Sequence, residues 1–195
     1  MKIYLAGPEV FLDDARKLGE LKVDLCRHYG FTGLFPLDGE PVMAGQGMSA
    51  AIFAANLELI RNADAVVANL TPFRGLSADP GTAFEIGFGF ALGKKIAAYS
   101  NQPGDLLGRA RESIGPAQTA GHPPTLMADG MHVEDFGLFD NLMLAEALET
   151  SGLPVFQAHV SPADPMRDLS LFERTLEALA QVMSSGAGIA RASGA

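Results

Sequence analysis

The sequence predicts a doubly wound α/β domain built on a parallel sheet of about five strands. Short apolar runs alternate with amphipathic helical stretches, a rhythm that calls for crossovers between parallel strands. The strand runs are apolar throughout rather than alternating, as in sheets covered on both faces. Glycine and proline punctuate the joins, with 22 Gly and 12 Pro in 195 residues. That length suits a single core. We place one domain over residues 1–183 and read the Ser/Gly/Ala stretch 184–195 as a flexible tail.

The elements follow in order. Ile3, Tyr4, Leu5 and Ala6 form a short buried strand stopped by Gly7 and Pro8. Residues 13–29 carry Ala15, Leu18, Leu21, Leu25 and Tyr29 at helical spacing, and Gly30 ends them. Residues 49–62 form a second helix, with Ile52, Phe53, Leu57 and Ile60 on one side. Residues 65–70 are a strand, and the loop 71–78 leads to a helix over 80–92 closed by Gly93. Residues 96–99 are the next strand. Residues 101–139 read as irregular, long enough for a lid, with turn chemistry at Gly115, Pro116, residues 121–124, Asp129 and Gly130. A helix at about 141–150, a strand at 155–156 and a helix over 166–183 complete the domain.

Charge and composition exclude several functions. With 14 Lys+Arg against 23 Asp+Glu, the net charge of −9 disfavours nucleic-acid and anionic membrane partners. No run approaches the roughly 18 apolar residues of a membrane span. One cysteine excludes a disulfide framework and, with no targeting segment evident, suits the cytoplasm. His28, His122, His132 and His159 lack metal-ligand spacing, so no metal is expected. Cys26, near the apolar side of the first helix, reads as core.

In a doubly wound sheet, ligands sit beyond the carboxyl ends of the strands. The loop after Leu70 therefore matters most. Asp79 followed by Pro80 is a helix N-cap with proline at the first helical position. Glu85 lies on the second turn, and Gly81, Glu85, Gly89 and Gly93 share one face. Either those glycines leave room for a ligand against Glu85, or they permit close helix–sheet packing. A glutamate facing the strand ends among Ala83, Phe84 and Ile86 is costly to bury without a task or partner. The Gly89–Lys95 region lacks a phosphate-binding loop, Gly87-x-Gly89 lies inside a helix, and no nucleophile elbow occurs.

Four segments, in order, resemble the nucleoside 2-deoxyribosyltransferase family. They are residues 2–11 (Lys-Ile-Tyr-Leu-Ala-Gly-Pro-Glu-Val-Phe), residues 63–70, residues 79–87 and the Asp140, Asn141, Leu142, Met143 element. The resemblance implies a flavodoxin-like arrangement and double displacement on 2′-deoxynucleosides, with Glu85 as the nucleophile on the anomeric carbon. It implies that Tyr4 orients Glu85, that Asp79 accepts hydrogen bonds from sugar hydroxyls, and that Gly7 and Phe11 belong to the substrate pocket. Phe11 is either a stacking partner for the base or a core side chain. Asn141 would reach the 5′-hydroxyl from a neighbouring subunit beside Met143, which implies a homo-oligomer: a dimer, or a tetramer or hexamer built from dimers. Asn56 stands where some members carry a base-contacting aspartate; an amide cannot supply a proton, which leaves a carboxylic acid or water. The partners implied are 2′-deoxynucleosides and free nucleobases, in nucleotide salvage or deoxyribonucleoside catabolism, and no cofactor is implied.

Two other functions fit the same segments. A related N-glycoside hydrolase of deoxynucleoside 5′-monophosphates places a serine six residues before its glutamate, where this chain has Asp79, a carboxylate that repels phosphate. A non-catalytic nucleoside-binding protein is the other.

Overall fold

The computed structural model describes residues 1–38, 45, 47–117, 125–160 and 164–192, with the backbone alone over 184–192. The turn expected at 121–124, with His122, lies outside these residues, as do 193–195. The chain runs β1 (Lys2–Ala6), a 3-10 turn (Pro8–Phe11), α1 (Ala15–His28), β2 (Thr32–Leu34), α2 (Met48–Asn62), β3 (Ala65–Asn69) and α3 (Pro80–Ala91). It continues through β4 (Lys95–Ser100), α4 (Leu106–Ile114), β5 (Thr125–Leu126), β6 (His132–Val133), α5 (Leu142–Ser151), β7 (Val155–Gln157) and α6 (Ser170–Ala192).

Five strands form one parallel sheet in the order β2-β1-β3-β4-β7. This is the flavodoxin-like order, and strand order reverses between β1 and β3, where such sheets open a crevice. Ile3, Leu5, Val67, Ala97 and Tyr99 pack on one face with Cys26 of α1 and Phe172, Leu176 and Leu179 of α6. Tyr4, Ala6, Val66, Ala68, Ile96 and Ala98 pack on the other with Ile60, Ile86, Leu144 and Leu148. Both faces are covered, so every residue of β3 is buried.

Several elements differ from expectation. β2 escapes sequence reading because Thr32, Gly33 and Leu34 carry no apolar run; at Gly33 the strand lies close on α1, where a Cβ would stand 3.2 Å from Cys26 Sγ and from the Val23 backbone. Residues 101–139 are not wholly irregular: they hold α4, capped by Asp105 accepting from Gly108 N at 2.6 Å, and the antiparallel β5–β6 pair. The buried stripe of α1 is Ala15, Leu18, Gly19, Lys22 and Cys26, while Leu21 is exposed. On α2, Ile60 is buried but Ile52 and Phe53 face outward, Phe53 lying 5.8 Å from Phe84. The last helix continues past Met183 to Ala192. Among the described residues no helix is long and apolar enough to cross a membrane.

Candidate active site

β1 and α3 bring the first two site residues together. Tyr4 is fully buried on β1, and its hydroxyl donates to Glu85 Oε1 in a short hydrogen bond. Glu85 sits on the second turn of α3 because Pro80 fixes the helix start and Asp79 caps it, its Oδ2 accepting from Thr82 N at 2.8 Å. Thr82 Oγ1 donates to the same oxygen at 3.2 Å, and Asp79 Oδ1 takes part in no hydrogen bond among the described residues. Asp79 is thus both a cap and a buried carboxylate with one oxygen uncommitted.

The electrostatics follow from burial. Desolvation lifts Glu85 from 4.5 to about 7; the Tyr4 hydroxyl pulls it back and the Asp79 charge pushes it up. Burial, and then the Glu85 charge, hold the Tyr4 phenol far above its ordinary range, so it remains a donor. A carboxylate that ionises near neutrality, held by a permanent donor on one oxygen, has its other oxygen free for a nucleophilic role.

Among the α3 glycines, Gly89 fits the helix–sheet packing reading. A Cβ on Gly89 would stand 2.9 Å from Val66 Cγ2 and 3.2 Å from Ile96 Cδ1, so Gly89 lets the helix approach the sheet. Gly81 is exposed, and a Cβ there would meet Asp79 Oδ2 at 2.9 Å. Gly7 is buried for a packing reason of its own: a Cβ would collide with Glu9 Oε2 at 1.9 Å.

Phe11 is not a core side chain. It is 57% exposed, stacks on Phe73 at 5.1 Å, and the Arg74 guanidinium caps the pair, 4.8 Å from the Phe73 centroid. Arg74 is the described non-glycine residue with positive φ, at 52°, which marks a strained loop beside the strand ends. Asn56 is half-buried on α2, and its Oδ1 is buried with no hydrogen-bond partner among the described residues. An unsatisfied buried acceptor costs about 1–3 kcal/mol, which a donor on a ligand would offset.

Asn141 and Met143 are not brought to the Tyr4–Glu85 pair within the chain. Asn141 caps α5, accepting from Met143 N at 3.1 Å and donating to Glu134 Oε1 at 2.8 Å. With Met143, which is 74% exposed, it borders a groove of about 700 Å³ between α3 and α5, lined also by Ala83, Gly87 and Phe90. Those α3 residues lie on a different face of the helix from Glu85.

Two buried polar clusters escape sequence reading. Glu9 Oε1 accepts from Lys22 Nζ at 2.7 Å, from Asn69 Nδ2 at 3.1 Å and from the Tyr99 hydroxyl at 3.1 Å. Lys22 is fully buried, 4.7 Å from the Phe172 centroid. A lysine in register with Leu18 and Cys26 was the available signal, since a charge on an apolar stripe needs a buried partner. The second cluster joins Asp140, Arg109 and Ser77. Nothing in the local pattern announces it, because its members lie tens of residues apart.

A family model described as nucleoside 2-deoxyribosyltransferase matches residues 3–143. A 2-desoxiribosyltransferase from Leishmania mexicana is 34% identical, covering 83% of this chain and 92% of its own, with a TM-score of 0.61. An uncharacterized protein of Schizosaccharomyces pombe is 30% identical over 164 residues, which are 77% of this chain and 78% of that protein. A conserved protein from Enterococcus faecalis V583, 19% identical with a TM-score of 0.50 over 91% of this chain and 97% of its own, shares the fold.

Proposed function

Because this chain belongs to the nucleoside 2-deoxyribosyltransferase family, we propose that it exchanges the nucleobase of 2′-deoxynucleosides by double displacement on Glu85. The observation that carries the reading is the buried Tyr4–Glu85 hydrogen bond beside the half-committed Asp79 carboxylate. Tyr4 occupies Oε1, which leaves Oε2 to attack the anomeric carbon. The C1′–N bond breaks as the C1′–O bond forms, and the base departs with the bond's electron pair as water or a carboxylic acid protonates a ring nitrogen. A second base then attacks C1′ through a ring nitrogen, returns that nitrogen's proton to the deprotonated donor and expels the carboxylate, so two inversions give net retention. Positive charge on the sugar in the transition state is balanced by Glu85, which Tyr4 holds in place and Asp79 makes more electron-rich. Asp79 Oδ1 accepts from a sugar hydroxyl, Phe11 stacks on the base, Asn56 Oδ1 takes a donor from it, and the Gly7 backbone borders it.

Asn141 and Met143 serve a neighbouring subunit's site in this reading. Support comes from their place at the exposed apolar α3–α5 groove, away from their own Glu85. Free nucleosides are the substrates rather than 5′-phosphates, because a second negative group near Asp79 and Glu85 is repulsive.

Incubating the protein with deoxyinosine and adenine tests the reading. Deoxyadenosine should form, and Glu85→Ala should lower the rate by at least about a thousandfold. Release of free deoxyribose without exchange would indicate a hydrolase, and binding without turnover a nucleoside-binding protein. Turnover of deoxyinosine 5′-monophosphate matching that of deoxyinosine would overturn the substrate assignment.

A further inference from the structure

The Asp140–Arg109 pair is a buried charged group that the proposed chemistry does not use and that contacts the loop leading to Asp79. Asp140 is 1% exposed and Arg109 8%, with Arg109 Nη2 3.9 Å from Asp140 Oδ2. Asp140 Oδ1 accepts from the Ser77 hydroxyl and from Asn141 N at 2.8 Å, and its Oδ2 from Ala78 N at 2.9 Å. Arg109 spends its donors on loop carbonyls: Nε on Leu76 O at 2.6 Å, Nη1 on Gly104 O at 3.1 Å and Nη2 on Phe139 O. Acidic and basic groups thus grip the same loop from two sides at consecutive residues, Leu76, Ser77 and Ala78.

Two buried charges are costly to desolvate, and an apolar pair of similar volume would often serve stability as well. What the pair adds is direction, because every hydrogen bond it makes fixes a loop atom. The residue after Ala78 is Asp79, and the residue after Asp140 is Asn141. We infer that Asp140, braced by Arg109, is a positioning residue that sets the Asp79 carboxylate and the Asn141 cap in fixed relation to each other. The inference rests on the reading of Asp79 as a sugar ligand. One carboxylate thereby ties a group of this chain's own sugar site to the residue proposed to reach the neighbouring subunit's site.

Asp140→Asn tests this with little change of shape. The amide keeps one acceptor oxygen for Ser77 or Asn141 but presents N–H to Ala78 N and to Arg109, so one grip on the loop is lost. Expected is a rise of about tenfold in KM for deoxyinosine, with kcat at saturation within about threefold, since uniform binding is lost rather than transition-state contact. Amide hydrogen exchange at Ala78 and Asn141 should accelerate together. The same weakening should appear as a higher Kd for deoxyinosine in Glu85→Ala/Asp140→Asn than in Glu85→Ala alone, a measurement that needs no turnover.

Unchanged KM and Kd would overturn the inference, even if the two amides exchange faster, because the pair would then serve stability only. Should Asp140→Ala fail to fold, Asp140→Asn still decides the matter. Absence of base exchange by the wild-type chain would remove the transferase reading, and the Kd comparison alone would then judge the positional role.

Discussion

Glu85 carries a proton equilibrium that can be read in two ways. Burial raises it from 4.5 to about 7; under the proposed mechanism Glu85 attacks as the carboxylate, so base exchange should fall as pH drops below about 7. Stability moves oppositely. The folded state holds this proton more tightly than the unfolded chain, so Glu85's contribution is full below the unfolded value and is lost as pH rises through about 7. Glu85→Gln, which stays neutral, should therefore gain on the wild type by up to about 3 kcal/mol between pH 5 and pH 8. Urea unfolding at the two pH values measures the gain, and a pH-independent difference would contradict the assigned burial. The residue types at this site were legible in sequence: a capping Asp-Pro, a glutamate on the second turn and a strand tyrosine. Their contact was legible only through the family resemblance and not through local pattern, because it joins residues 81 positions apart.

At the scale of elements, the 3-10 turn after β1 is anchored by a buried charge as well as by the packing of Pro8 and Val10. Glu9 in that turn meets Lys22 of α1, with Asn69 and Tyr99 from the ends of β3 and β4. Lys22→Met should strand the Glu9 carboxylate and lower unfolding stability by about 3–5 kcal/mol, and adding Glu9→Gln should restore most of it. Denaturant titration of the two singles and the double closes the cycle; equal effects of the double and of Lys22→Met would exclude the pairing as the cause. Periodicity identified α1 correctly as a helix and placed Ala15, Leu18, Leu25 and Tyr29 toward the core, but it counted Leu21, which is exposed, and passed over Lys22, which is buried. An isolated charge reads as solvent-facing until its partner is seen. The outward face of α2 has a related cause: Ile52 and Phe53 are apolar enough for a core, yet the sheet beneath is filled by Ile60, Ile86 and the small side chains of β3 and β4.

At the scale of the whole molecule, the sheet order places the crevice between β1 and β3, and the same α3 that offers Glu85 to it turns Ala83, Gly87 and Phe90 toward α5. Under the proposed assembly this second face meets another copy. Phe90→Asp, on a side chain 43% exposed and outside the Tyr4–Glu85 pair, should change monomer stability by no more than about 0.5 kcal/mol, as for surface substitutions generally. It should nonetheless shift sedimentation toward smaller species and reduce base exchange. An unchanged sedimentation profile would place the subunit contact elsewhere.

The sequence by itself determined the alternation of strands and helices, the start of α3 at Asp79 and Pro80, and the four segments that mark the family. Those are local properties, set by side-chain period, capping and backbone restriction within a few residues. The tertiary structure alone decided that Lys22 is buried, that Phe11 is exposed on Phe73, and that Asp140 grips the loop before Asp79. Each depends on parallel pairing and crossover packing that join distant stretches of chain. There a polar group's energy is set by the partner it finds, and no local pattern encodes that partner.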